Sequence, residues 1–248
     1  MIELFSQGIL SLNSVLFDNL GLTILVVGVV SRLIFYPFFA QSIRYTKLMR
    51  DLKPKLDEVK KKHGHDMRKH AQEQSRLFKE HGVSPSAGAL SCLSIIVQLG
   101  VFILLFQSLS RIIASGIDTN FLLWDLAKPD AYRIGSIPFA IPGILVLATA
   151  VLSFAQTKMI QPESSNSPGN KGKNQKKEGR SDFTEALSGT QSQMAYIIPL
   201  IILISGTHFA AGLALYWLVS TVFGIIQQLM IAGPGGLKPW LVKANLSK

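Results

Sequence analysis

The chain is poor in charge, in cysteine and in catalytic signatures. Charged residues make up 16% of its 248 positions, against 48% hydrophobic ones, and the mean hydropathy is +0.32. That is too apolar for an ordinary soluble domain, and the apolar residues come in blocks. The single cysteine, Cys92, sits inside one of these blocks. It excludes an intramolecular disulfide and reads as a small core residue. No Lys or Arg precedes Arg32, so the start lacks the basic region of a secretory signal, and no lipid-anchoring cysteine motif is present. The first membrane span is therefore expected to do the targeting itself. HExxH, GxSxG and Walker patterns are all missing, so no enzyme chemistry, catalytic residue or cofactor is expected. His63, His65 and His70 lack Cys or carboxylate partners at fixed spacing, and they read as solvated histidines and not as a metal site.

Gly21 to Ala40 is a run of twenty residues whose only charge is Arg32. Roughly 20 residues of helix cross the ~30 Å hydrocarbon core of a bilayer. A charge inside it costs at least ~2.5–3.5 kcal/mol and marks a functional site by default. Arg32 lies eight residues before Ala40, which is roughly 12 Å of helix, too far for easy snorkelling. It is expected to face a wet cavity or a polar partner.

The remaining blocks predict an all-α membrane protein with five transmembrane helices and a cytosolic helical hairpin between spans 1 and 2. Residues 1–19 carry an amphipathic stripe, Ile2, Phe5, Ile9, Leu12 and Leu16, and are read as an interfacial helix outside the membrane. Span 1 covers 20–40, with Pro37 kinking it or marking its exit. Residues 41–87 form the hairpin. Leu48, Leu52, Leu56 and Val59 fall on one face, Asp66 caps the second helix and Gly82 ends it, while Pro54 starts or kinks the first. Span 2 covers 88–110. The loop 111–136 holds FLLWDLAKPD, where Trp124 is expected at headgroup depth. Span 3 covers 137–157. Residues 158–192 are Ser/Gly/Asn/Lys-rich and read as a disordered basic loop attracted to anionic lipids, with no specific nucleic acid as partner. The apolar tract after it breaks at Ser205–His208 into span 4, 193–207, and span 5, 211–231. Residues 232–248 form a short basic tail.

Basic residues then fix the expected orientation. Segments 41–87, 158–192 and 232–248 carry 12, 6 and 3 Lys/Arg, whereas segments 1–19 and 112–136 carry 0 and 2. By the positive-inside rule the N-terminus lies outside and the C-terminus in the cytosol. The net charge of +10 is thus mostly a topology signal. Within the spans the polar residues Arg32, Gln98 and Gln156 are expected to converge toward the cytosolic half. Gln227 and Gln228 are read as marking the interface.

Four stretches carry a family resemblance. They are SRLIFYPFFAQSIRYTKLMRDLKPKLDEVKKKHG, LFKEHGVSPSAGALSCLSIIVQLGVFILLFQSL, FLLWDLAKPD and AYIIPLIILISGTHFAAGLALYWLVSTVFGIIQQ. In this order and spacing the chain resembles the YidC/Oxa/Alb membrane protein insertases. The resemblance implies a hydrophilic groove open to cytosol and lipid and closed on the outer side. It implies that Arg32 is the groove arginine, that Gln98 and Gln156 are polar groove positions, and that Trp217 is an aromatic near the groove. It implies insertion of nascent membrane proteins in a bacterial plasma (inner) membrane, alone or with the Sec translocon, without nucleotide hydrolysis. The family often has Pro where Ala211 stands, and the short basic tail offers little for binding a ribosome. The alternative reading is a small anion transporter or channel using Arg32, against which the spans show no inverted repeat.

Overall fold

In a computed structural model the chain folds as a bundle of helices with one small loop domain at an end. Residues 2–82, 85–133, 140–161 and 196–240 are described, the stretch 85–92 by its helix alone. The helices are α1 (Ile2–Val15), α2 (Leu20–Ile34), α3 (Tyr36–His63), α4 (Met67–Glu80), α5 (Pro85–Ala114), α6 (Ile144–Ile160), α7 (Tyr196–Gly206) and α8 (Ala211–Ala232). Among the described residues, four two-residue strands lie between α5 and α6: β1 (Asn120–Phe121), β2 (Trp124–Asp125), β3 (Ala131–Tyr132) and β4 (Ile141–Pro142). Most of the basic loop 158–192 and the end of the tail 232–248 lie outside the described residues, at 162–195 and 241–248.

Among the described residues, α8 and the Leu93–Ala114 part of α5 are long and apolar enough to cross a membrane alone. The pair α1 and α2 passes the same test together, but it is bent by 120° at its break. The helices α6 and α7 are apolar and shorter.

The amphipathic stripe of α1 packs onto the bundle. Ile9 is buried in one core cluster with Leu105 and Leu109 of α5 and Leu213 of α8. The two buried polar residues of α1 have partners inside: Ser6 Oγ donates to Ser108 Oγ at 3.0 Å, and Asn13 Oδ1 accepts from Thr23 Oγ1 at 3.0 Å. Leu4, Val15 and Phe17 stay exposed on the far side.

The run read as one span from 20 to 40 is two helices. The first ends at Ile34, and Phe35 sits between them with φ −92° and ψ 12°. Pro37 occupies the first turn of α3, where its missing N–H has no intrahelical acceptor to lose. Pro54, by contrast, is carried inside α3 without ending it. Asp66 caps α4 by accepting from the backbone N–H groups of Arg68 and Lys69, as its spacing predicts. Gly82 follows with φ +67°.

Span 3 differs from expectation at its start. The helix begins at Ile144, because Ile141–Pro142 is spent pairing with Ala131–Tyr132. Its end at Ile160 lies beyond the expected Gln156–Lys158.

The loop before it caps two helices. Asp130, buried, accepts from the N–H groups of Leu145 and Val146 at 2.7 and 3.1 Å through Oδ2. Leu126 and Lys128 offer their carbonyls to the N–H groups of Gly212 and Ala211 at 3.0 and 2.7 Å. Two of the free N–H groups at the start of each of α6 and α8 are thus satisfied from one loop. Trp124 belongs to this scaffold: its indole N–H donates to Asp130 Oδ1 at 3.2 Å. The side chains left outside are Leu122 and Leu123, 82% and 87% exposed, with Leu122 in the left-handed region at φ 54°. They, and not Trp124, form the apolar tip of the loop. Nearby, hydrogen bonds from Thr119, Lys128 and the Ala127 N–H hold the Asp125 carboxyl at about 2.

Candidate functional site: a polar cavity at Arg32

The break at Phe35 places Arg32 in the last turn of α2, directly against the first turns of α3. Its guanidinium stacks on the Phe39 ring, 4.4 Å from the centroid. Such a contact is worth about 0.5–2 kcal/mol and leaves the N–H groups free for other acceptors. Across from it stands Gly224 of α8. A Cβ there would lie 2.5 Å from Gln156 Nε2 and 3.5 Å from Arg32 Nη1. The glycine therefore lets α2, α6 and α8 bring Arg32 and Gln156 together.

These groups line one cavity of about 150 Å³. Its walls come from α2 (Arg32), α3 (Phe39, Ser42, Ile43, Thr46), α6 (Gln156, Ile160) and α8 (Gly224, Gln228). It is roomy and polar enough to hold several water molecules. Three residues have buried polar atoms without a hydrogen-bond partner among the described residues: Arg32 at Nε, Ser220 at Oγ, and Gln227 at both amide atoms. An unmet buried polar atom costs about 1–3 kcal/mol, so this end of the bundle holds unused hydrogen-bonding capacity.

The four residues singled out from the sequence fall into two groups. Arg32 and Gln156 share the cavity. Gln98 does not line it; its Nε2 reaches the buried Tyr216 Oη at 3.4 Å. Trp217 faces a separate apolar pocket with Val146, Thr149, Ile202 and Leu213, and its ring meets Phe102 edge-on at 5.6 Å. Gln227 and Gln228 are buried in the bundle, where α8 runs on to Ala232 and α3 packs on this end. Ser42, Thr46 and Gly224 were not picked out beforehand. The helical spacing of Ser42 and Thr46 and the placement of Gly224 four residues before Gln228 were the available signals.

A Gly224→Leu substitution is expected to fill the cavity while keeping the fold's apolar exterior. Solvent-accessibility labelling of a cysteine at Ser42, in a Cys92→Ala background, should fall by about tenfold, equivalent to about 1.4 kcal/mol. An unchanged rate would mean that the cavity has another route to water.

A helical membrane protein with a charged, partly unsatisfied cavity among its apolar helices is the class that the fold and site define. Residues 12–234 match the family described as 60Kd inner membrane protein. The chain is 29% identical over 221 residues to the membrane protein insertase MisCA of Bacillus subtilis, covering 88% of this chain and 72% of that protein. It is 30% identical over 222 residues to the membrane protein insertase YidC of Oceanobacillus iheyensis, covering 88% and 76%. A YidC of Rickettsia massiliae is 31% identical over 219 residues, 86% of this chain and 35% of that longer protein. The chain belongs to the 60Kd inner membrane protein family.

Proposed function

We propose that this chain is a membrane protein insertase that accepts nascent membrane proteins from the cytosol. The carrying observation is the meeting of Arg32, Gln156 and Gln228 around one cavity inside an apolar bundle. Five spans fit this reading: α2 with the start of α3, α5, α6, α7 and α8. The N-terminus is then outside, the C-terminus in the cytosol, and the α3–α4 hairpin projects into the cytosol of a bacterial cell from its plasma membrane. The basic surfaces on that side favour anionic lipids, and the Sec translocon and the ribosome are further candidate partners.

In this reading water in the cavity thins the effective barrier from the cytosolic side. A short polar segment of the substrate enters beside Arg32, and its apolar segment moves along α6 and α8 into lipid. Burial of that segment supplies the driving force, at ~0.8 kcal/mol per CH₂ group. The loop that caps α6 and α8 supports closure of the opposite end. Purified protein in liposomes is expected to insert a small single-span substrate well above protein-free liposomes, read by protease protection. Selective anion flux with no insertion would instead favour a transporter built on Arg32.

A further inference from the structure

A second arginine is held beside the lining of the cavity. Arg50 lies on α3 one turn past Thr46, and its side chain is only 12% exposed. Its Nη1 donates to the Met159 carbonyl and its Nη2 to the Ala232 carbonyl, both at 3.0 Å. These are carbonyls of the last turns of α6 and α8. The last carbonyls of a helix lack intrahelical donors and carry the negative end of its dipole. One guanidinium thus satisfies two helix ends and ties a third helix to both. A planar fork does this; an ammonium has no fixed pair of donors.

The surrounding chain is shaped for this contact. After α8 the backbone turns back under the bundle, and Gly235, at φ 50°, packs against Arg50 Nη1 and the Met159 carbonyl. A Cβ at Gly235 has no room. Leu52 is the last buried residue of α3, and α4 has none. Arg50 and Leu52 therefore form the base at which the hairpin leaves the bundle. The cavity reaches this base on all three helices, through Thr46, Ile160 and Gln228. Gln227, with both amide atoms unpartnered among the described residues, lies about 7 Å along α8 from Ala232.

We propose that Arg50 is a positioning residue of the insertase: a latch that holds α3 across the ends of α6 and α8 and so sets the width of the cavity mouth. Its release opens the route to Arg32 and gives the backbone of an incoming chain the Gln227 amide to pair with. A carboxylate accepts from guanidinium more strongly than a neutral carbonyl does. Asp51 already stands 3.6 Å from Nε, so an incoming acidic segment competes with the two carbonyls for the Nη groups and opens the latch most readily. This inference rests on reading the cavity as the substrate groove, and its test is chosen to separate the two.

The test uses full-length protein in lipid nanodiscs, with Cys92→Ala and Thr46→Cys, labelled by a water-soluble maleimide. Arg50→Gln, which removes the charge from both hydrogen bonds, is expected to raise the labelling rate about tenfold or more. Arg50→Lys, which keeps the charge and one donor, should fall between the two. If Arg50→Gln does not purify as a folded species, the Arg50→Lys rate must still exceed the parent's. Parent-like rates in the folded variants would overturn the latch. Faster labelling in a protein that inserts nothing would retain the latch and remove the groove reading. Insertion with parent-like labelling would do the reverse.

Discussion

Arg32→Ala is expected to slow insertion of substrates with acidic translocated segments by about tenfold, while Arg32→Lys retains most of the rate. The size follows from the surroundings. Two charges ~4 Å apart at an effective dielectric of ~20 interact by about 4 kcal/mol, and the water of the cavity screens part of this. Retaining about a third of it, roughly 1.4 kcal/mol, corresponds to a tenfold change in rate. Lysine preserves the charge and loses only the planar stacking on Phe39. The check is a liposome assay with paired substrates that differ only in the acidic residues of the translocated segment. Equal slowing of the acidic and neutral members by Arg32→Ala would show that Arg32 acts through hydration of the cavity and not through attraction. Normal insertion of both would remove Arg32 from the mechanism.

The largest effect on stability is expected at Asp130. Its two oxygens accept from two backbone N–H groups at the start of α6 and from the Trp124 indole, all at 3.2 Å or less. Asp130→Ala leaves these donors without that acceptor and removes a negative charge from the positive end of a helix. The summed loss is about 3 kcal/mol, at about 1 kcal/mol for each of the three hydrogen bonds. For a chain of this size that lowers Tm by about 6–12 °C. Asp130→Asn keeps one acceptor oxygen and should lose roughly half as much. Thermal unfolding in nanodiscs, followed by far-UV circular dichroism, measures both. Equal Tm values for parent and Asp130→Ala would show that the loop cap does not limit unfolding of the bundle.

The helices that are legible in the sequence are those whose boundary signals are local. Asp66, Pro37 and the Ser205–His208 break act through neighbours a few residues away, and each stands at or beside a helix end. The family membership was legible from four ordered stretches, because spacing within helices carries it. What the sequence concealed depends on pairs that are distant along the chain. Nothing local shows that Asp130 caps a helix fifteen residues later, or that Trp124 turns inward to meet it. The start of α6 was misplaced for that reason. Within the site, Arg32 and Gln156 stand out as polar residues in apolar runs. Gly224 does not, since a glycine in a membrane helix is unremarkable until the side chains facing it are known. Gln98 and Trp217 have the right composition for a groove, but their helix faces direct them to Tyr216 and Phe102.

The interruption at Phe35 divides labour between the two halves of the cavity wall. Arg32 belongs to α2, which is embedded between α1 and α8, whereas the ring it rests on belongs to α3. With Pro37 starting α3 afresh, that helix can tilt about one residue without unwinding α2. A shift of α3 against α2 would then move the aromatic seat while the charge stays in place. An approaching chain would meet a guanidinium stripped of its resting place at the moment when the doorway widens.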